Sequence, residues 1–547
     1  MLTPADPAHN PAPAAATENR LPVPPLALFA VIFTAIWLLH APLLRLPYFW
    51  DETGYFIPAA RDLLITGNPI PTSTLSNAHP PLVPAWLAFW WWTSGYTPAI
   101  TRTAMLLVAA FTLLGVFRLA RQVANLQVAV AATLLTAVFP VSFAQSSLAQ
   151  LDMAAAAFTL WGLSFYLRDR RILAIVLFAL AGLAKETAIV APLALLVWER
   201  IAPRLQARRS EKSGPDVAAD KLNRMLPFAE PGWGKSLSLL LAAVPLVAWL
   251  AFHYARTGHV FGNPEFFRYN VQATANPVRM LLAALQRLWQ LFLYLNMFVL
   301  TGAAALAMLY SPVRGEQQQR PRIAISVQLI FAVLLLAYVA MLAVLGGAVL
   351  ARYLLPVYPL VIIVCVSTLW RRVPWWTAAI AVTALAFAAG LFVSPPYRIA
   401  PEDNLSYADY VRLHQAADGI LAKHAHKRVL TAWPASDELT KPYLGYVPRP
   451  VSVVRIENFS APEIELAARQ RDQYDFALLF STKYEPPQRS FASQWWQHIQ
   501  ERFFDYHRDL PPDTAAQLLG GRLIYRQHRG SQWIAIIAIE HDTLAKR

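Results

Sequence analysis

Two adjacent acids, Asp51 and Glu52, follow an aromatic run, Tyr48-Phe49-Trp50, directly after the first long apolar stretch. Transfer of an activated group to a hydroxyl or amine needs a base held against the acceptor. A carboxylate at a membrane surface, partly desolvated by aromatic neighbours, suits that task. Two acids that merely end a helix in water would read the same way, so the pair alone decides nothing. Asp152 is a second candidate. It is the one charged residue between Asn125 and Leu167. An acid inside an apolar segment is by default a functional-site hypothesis. Its rival is a helix-end charge that reaches water.

Three cations complete the set. Lys185, Arg352 and His79 each stand beside apolar sequence at the same predicted surface. A phosphate held at that depth needs a cation or several donors. Lys185 and Arg352 could instead be snorkelling to the interface, and His79 could serve the turn ahead of Pro80-Pro81. Imidazole titrates near ~6.5, so the charge of His79 at neutral pH is open. Glu186 could be a plain partner for Lys185.

The elements that must position these residues are membrane helices. The 547-residue chain is 56% hydrophobic and 15% charged, where soluble domains carry about 25% charged residues. Several uncharged runs reach the ~20 residues a crossing needs. The 18 Trp and 20 Tyr suit two membrane interfaces. The net charge of +14 sits in short loops between apolar runs. That is a positive-inside pattern and not a nucleic-acid stripe. The one cysteine, Cys365, excludes an internal disulfide and argues against Cys-based metal sites or catalysis.

Residues 1–20 read as a disordered cytoplasmic tail, and 21–44 as a first span that sends loop 45–81 outside. Residues 82–95 are short for a crossing and are placed at the outer interface. Pro140 and the polar SFAQSSLAQ divide 125–167 into an outgoing and a returning helix. Residues 172–198 form either a hairpin of two short helices with Lys185 toward the outer side, or one long span. The membrane region, 21–397, counts about 11 spans, which leaves the C-terminus outside. Residues 398–547 differ. Charges become frequent, and RVLTAW, VSVVRI, DFALLFS, RLIYRQ and QWIAIIAI alternate with helical stretches. This predicts a compact extracytoplasmic α/β domain. No Gly-rich phosphate loop and no internal repeat are present.

Four stretches together resemble the GT-C superfamily of membrane glycosyltransferases, and most nearly its PMT-like branch of protein O-mannosyltransferases and lipid A aminoarabinose transferases. WDETGYFIPAARDLLITGN is similar to the first-loop acidic motif and NAHPPLVPAW to the His/Lys-Pro-Pro-Leu element. LDMAAAAFTLWGLSFYLR and GLAKETAIVAPLALLVW are similar to the Asp and Lys helices, and ARYLLPVYPL to the Arg-Tyr-x-x-Pro-x-Tyr-Pro element. The likeness covers about residues 25–395. His79 stands where aminoarabinose transferase-like members often carry Lys.

The resemblance implies a polyprenyl-phosphate sugar donor and an inverting, single-displacement transfer outside the cytoplasm. The acceptor would be a protein, lipid or glycan. It implies Asp51 as general base, with Glu52 and Asp152 supporting it. Lys185, His79, Arg352 and Tyr353 would surround the donor phosphate or its sugar. No cofactor is implied beyond the lipid-linked donor itself; no residue is assigned as a metal ligand, and a divalent metal requirement stays open. The location implied is a bacterial inner membrane. Two other classes stay open: a transporter or lipid flippase, and a non-catalytic subunit of envelope assembly.

Overall fold

A computed structural model describes residues 24–212, 233–268, 274–314, 319–486, 491–530 and 532–541. The expected tail, 1–20, and residues 213–232 of the polar loop lie outside the described residues.

The membrane part is helical because its apolar runs carry good start signals and little to break them. The Pro98–Val123 helix is capped by Thr97, whose side chain accepts from the Ile100 amide at 3.3 Å, with Pro98 at its first position. Asn125 and Asn276 cap the helices that follow them in the same way. Among the described residues, five helices are long and apolar enough to cross a membrane: Pro25–Leu43, Pro98–Val123, Gly234–Thr257, Pro277–Ala307 and Ile325–Val344. Leu126–Val138 and Pro140–Ser147 make a further pair bent by 68°. Pro140 has no amide hydrogen to continue the ladder, so the break falls there. Arg171–Ala184 and Trp376–Phe392 are shorter apolar helices. Leu82–Ser94 has 13 residues, short of a crossing.

Lys185 stands in extended backbone between the Arg171–Ala184 helix and a 3-10 turn at Glu186–Ile189. Arg171 pairs with Glu199 at 2.6 Å. The start of that helix therefore lies beside Glu199 of the next helix, Val190–Lys212, so the chain doubles back near Lys185 as a hairpin, with a second helix of 23 residues that is longer than expected. Arg118 lies over the Trp161 ring at 5.0 Å, and Arg168 bonds Gln122. These basic residues gather at the end of the bundle away from Asp152 and Lys185.

The C-terminal part carries all five expected strands: β1 (Arg428–Ala432), β2 (Ser452–Ile456), β3 (Phe476–Phe480), β4 (Gly521–Arg529) and β5 (Gln532–Ile539). Their order is β2-β1-β3-β5-β4. β1 runs parallel to β2 and β3, while β5 is antiparallel to β3 and β4. The Ser406–Leu421 helix packs on this sheet. Its buried residues Tyr407, Tyr410 and Val411 share one core with Tyr48, Phe49 and Phe56 of the first loop. Tyr446 donates from its hydroxyl to the Tyr48 carbonyl at 2.7 Å. The first loop is thus clamped between the bundle and the sheet domain.

Candidate active site

The two adjacent acids have different fates. A π-helical turn at Glu52–Phe56 follows Trp50, which has φ 49°. Such turns and left-handed non-glycine residues gather at functional positions. The turn drives Glu52 inward, where it is fully buried. Its carboxylate takes both arms of Arg102, the Phe49 amide at 2.7 Å and the Ala149 amide at 2.5 Å. Arg102, the one charge between Pro98 and Phe117, is thereby explained. Glu52 has no face left for a substrate. Asp51 keeps 19% of its side chain exposed and pairs with Arg352 Nη2.

Arg352 is the hub. Its Nη1 reaches Glu402 Oε2 at 2.7 Å and also bonds Gln150, and its Nε stands 3.5 Å from Asp152 Oδ2. Lys185 Nζ donates to Asp152 Oδ1 at 2.6 Å and lies 3.8 Å over the Tyr353 ring. Asp152 opens its helix and Lys185 breaks the next one, so both side chains arrive from helix ends at the same bundle face. His79 Nδ1 bonds Glu186 Oε2 at 3.0 Å. Glu186 is therefore the partner of His79, not of Lys185. Five of the expected residues, Asp51, Asp152, Lys185, Arg352 and Tyr353, meet in one cluster. His79 stands beside it through Glu186, and Glu52 braces it from behind.

Three further residues belong to the cluster and carry no plain signal in the sequence. Glu402 and Gln150 hold Arg352, and Gln150 Nε2 donates to Glu402 Oε2 at 2.9 Å. Burial, partly offset by Arg352, pushes the Glu402 carboxyl up to about 7. Arg287 is fully buried, with its guanidinium carbon 5.6 Å from the centre of the Tyr353 ring. Nη1 donates to Gln290 and to the Leu350 carbonyl, but Nε and Nη2 have no hydrogen-bond partner among the described residues. A buried guanidinium with donors to spare is rare without an anion to meet it.

Chemically, the cluster sets one partly exposed carboxylate beside buried cations. An anion entering there can draw Arg352 and Lys185 off their carboxylates, and proton transfer to Asp51 is then available.

Residues 78–218 match the family model described as dolichyl-phosphate-mannose-protein mannosyltransferase. Among solved structures, the chain is similar to ArnT from Cupriavidus metallidurans in the apo state, at 14% identity and a TM-score of 0.51. That match covers 93% of this chain and 97% of the other. It is similar also to the same protein bound to undecaprenyl phosphate, at 13% identity and a TM-score of 0.50, with the same coverage. No curated protein sequence matches the chain.

Proposed function

We propose that this chain, part of which matches a mannosyltransferase family model, is a PMT-like membrane glycosyltransferase of the GT-C superfamily, and that it moves a sugar from a polyprenyl-phosphate carrier to an extracytoplasmic acceptor by inverting single displacement. The observation that carries this reading is the position of Asp51. It is the most exposed of the three carboxylates around Arg352, at 19% of its side chain against 5% for Asp152 and 4% for Glu402.

In the proposed step the acceptor O–H or N–H gives its proton to Asp51 while the acceptor atom attacks the anomeric carbon. The bond from that carbon to the phosphate oxygen breaks on the opposite face. The electron pair leaves with the phosphate, whose growing charge is met by Lys185, Arg352 and the spare donors of Arg287. Interactions that strengthen as charge develops lower the barrier. Asp152 positions Lys185 and Arg352. Glu52 positions Asp51 by fixing the turn through Arg102. Tyr353 holds the cations apart with its ring, and His79, bonded to Glu186 beside the cluster, contributes to the donor's surroundings. The lipid supplies the activated phosphate, so no nucleotide enters the step.

The test is a panel of radiolabelled polyprenyl-phosphate sugars presented to purified protein in lipid, with membrane extract as acceptor source. The reading expects label to move from at least one donor to a product. If extract shown to be competent receives no label from any donor, the reading fails.

A further inference from the structure

A second titratable cluster lies in the C-terminal domain, apart from the proposed transfer step. His414 and Asp418 stand one turn apart on the Ser406–Leu421 helix, and Glu438 comes from the short Ala435–Thr440 helix. All three are buried: His414 is 1% exposed, and Asp418 and Glu438 are 0% exposed. One ligating atom from each lies within 4.8 Å of the other two. His414 Nδ1 meets Glu438 Oε2 at 2.5 Å. Both oxygens of Asp418, Oε1 of Glu438 and Nε2 of His414 have no hydrogen-bond partner among the described residues. Buried polar atoms are nearly always paired, so four orphans on three side chains packed this closely need an explanation.

No lysine or arginine among the described residues makes an ion pair with Asp418 or Glu438. Their surroundings are apolar or aromatic: Tyr410 stacks on His414 at 3.8 Å and Phe480 meets its ring edge-on at 4.6 Å. Two carboxyl groups and one imidazole, buried together with no basic side chain paired to the acids, lack the charge that would balance them.

We infer that His414, Asp418 and Glu438 form a buried site for one divalent transition-metal cation, with zinc the best match. One such ion neutralises both carboxylates and takes one ligating atom from each of the three side chains. A single imidazole with two carboxylates is a nitrogen-oxygen set that suits zinc, at bond lengths of ~2.0–2.2 Å. Ligands at those lengths stand ~3.3–3.6 Å apart in a tetrahedron. The present spread of up to 4.8 Å closes by side-chain rotation, with the His414–Glu438 hydrogen bond opening to admit the ion.

The position gives the ion a purpose. Tyr410, against His414, meets Phe49 at 5.1 Å and Trp50 at 5.7 Å. Trp433, just before the Glu438 helix, meets Trp50 at 5.5 Å and Tyr55 at 5.6 Å. A metal joining the two helices fixes both aromatic walls that hold the Asp51 turn. The three ligands are thus positioning residues.

The test uses full-length protein purified in detergent without added metal. Bound metal is measured by inductively coupled plasma mass spectrometry. Thermal unfolding is then followed after chelation and after return of zinc, manganese, magnesium or calcium alone. The inference expects about one transition-metal ion per chain, a melting temperature lowered by several degrees on chelation and restored by zinc. It also expects loss of the ion in His414→Ala and in the milder Asp418→Asn. Wild-type protein without stoichiometric metal, and without stabilisation by any of the four ions, would overturn it and leave a protonated carboxyl pair. Should the variants fold poorly, the wild-type chelation and return series decides alone.

Discussion

At the scale of residues, neighbouring acids with one charge each divide anchoring from chemistry. Glu52 has four donors and no exposure, whereas Asp51 has one cation and an open side. Removing one partner of a buried pair strands the other, at about 3–5 kcal/mol. Glu52→Gln is therefore expected to lower thermal stability by about 3 kcal/mol, because Arg102 keeps its charge. Asp51→Asn should leave stability near wild type, and thermal unfolding of both in the same detergent checks the contrast. Glu402 gives a pH dependence. Burial holds its proton to about 7, while the unfolded chain releases it near 4.5. Stability is then lost as pH rises from about 4.5 to 7 and is flat above, by at most about 3 kcal/mol. Glu402→Gln should flatten that fall in melting curves taken across the interval. Asp152, Lys185 and Arg352 were legible because a charge in an apolar run stands out. Glu402 was not, since a glutamate in a segment of ordinary charge density carries no signal. Gln150 is uncharged, and Arg287 lies on an amphipathic helix where a polar face is unremarkable.

At the scale of elements, the turn that carries Asp51 depends on close aromatic packing. A Cβ added to Gly54 would stand 2.6 Å from Trp433 Nε1 and 2.7 Å from its Cζ2. Gly54→Ala is expected to push the π-helical turn off Trp433 and cut transfer at least tenfold. Shrinking the indole in Gly54→Ala/Trp433→Phe should recover part of it, and steady-state transfer rates of the two variants check this. The five strands were readable because their apolar alternation is bounded by turns. The helices Ala435–Thr440 and Pro512–Leu519 were not, being six and eight residues long. The bend at Pro140 was legible from proline chemistry. The π-helical turn was not, because tertiary packing and not local propensity sets it. Breaks such as the one at Leu295, where φ is 45°, are likewise hidden inside apolar runs, which makes spans hard to count from hydropathy alone.

At the scale of the whole molecule, the first loop belongs to two bodies at once. Tyr48 and Phe49 are buried in a core completed by Tyr407, Tyr410 and Tyr446 of the C-terminal part. Glu402 of the same part holds Arg352. A chain cut after residue 397 would expose that core, so it is expected to aggregate or lose the fold of loop 45–81, as size-exclusion chromatography and limited proteolysis would report. The sheet domain was legible as a domain, but its share in the site was not, because contacts such as those of Phe49 with Tyr407 and Tyr410, far apart in the chain, leave no local pattern. The central claim is that Asp51 takes the acceptor proton in a site otherwise built to hold an anion. The most direct measurement pairs donor binding with single-turnover transfer for wild type and Asp51→Asn. The account predicts donor affinity within a few-fold of wild type and a transfer rate reduced by about 10²–10⁴. Transfer by Asp51→Asn at the wild-type rate would contradict it.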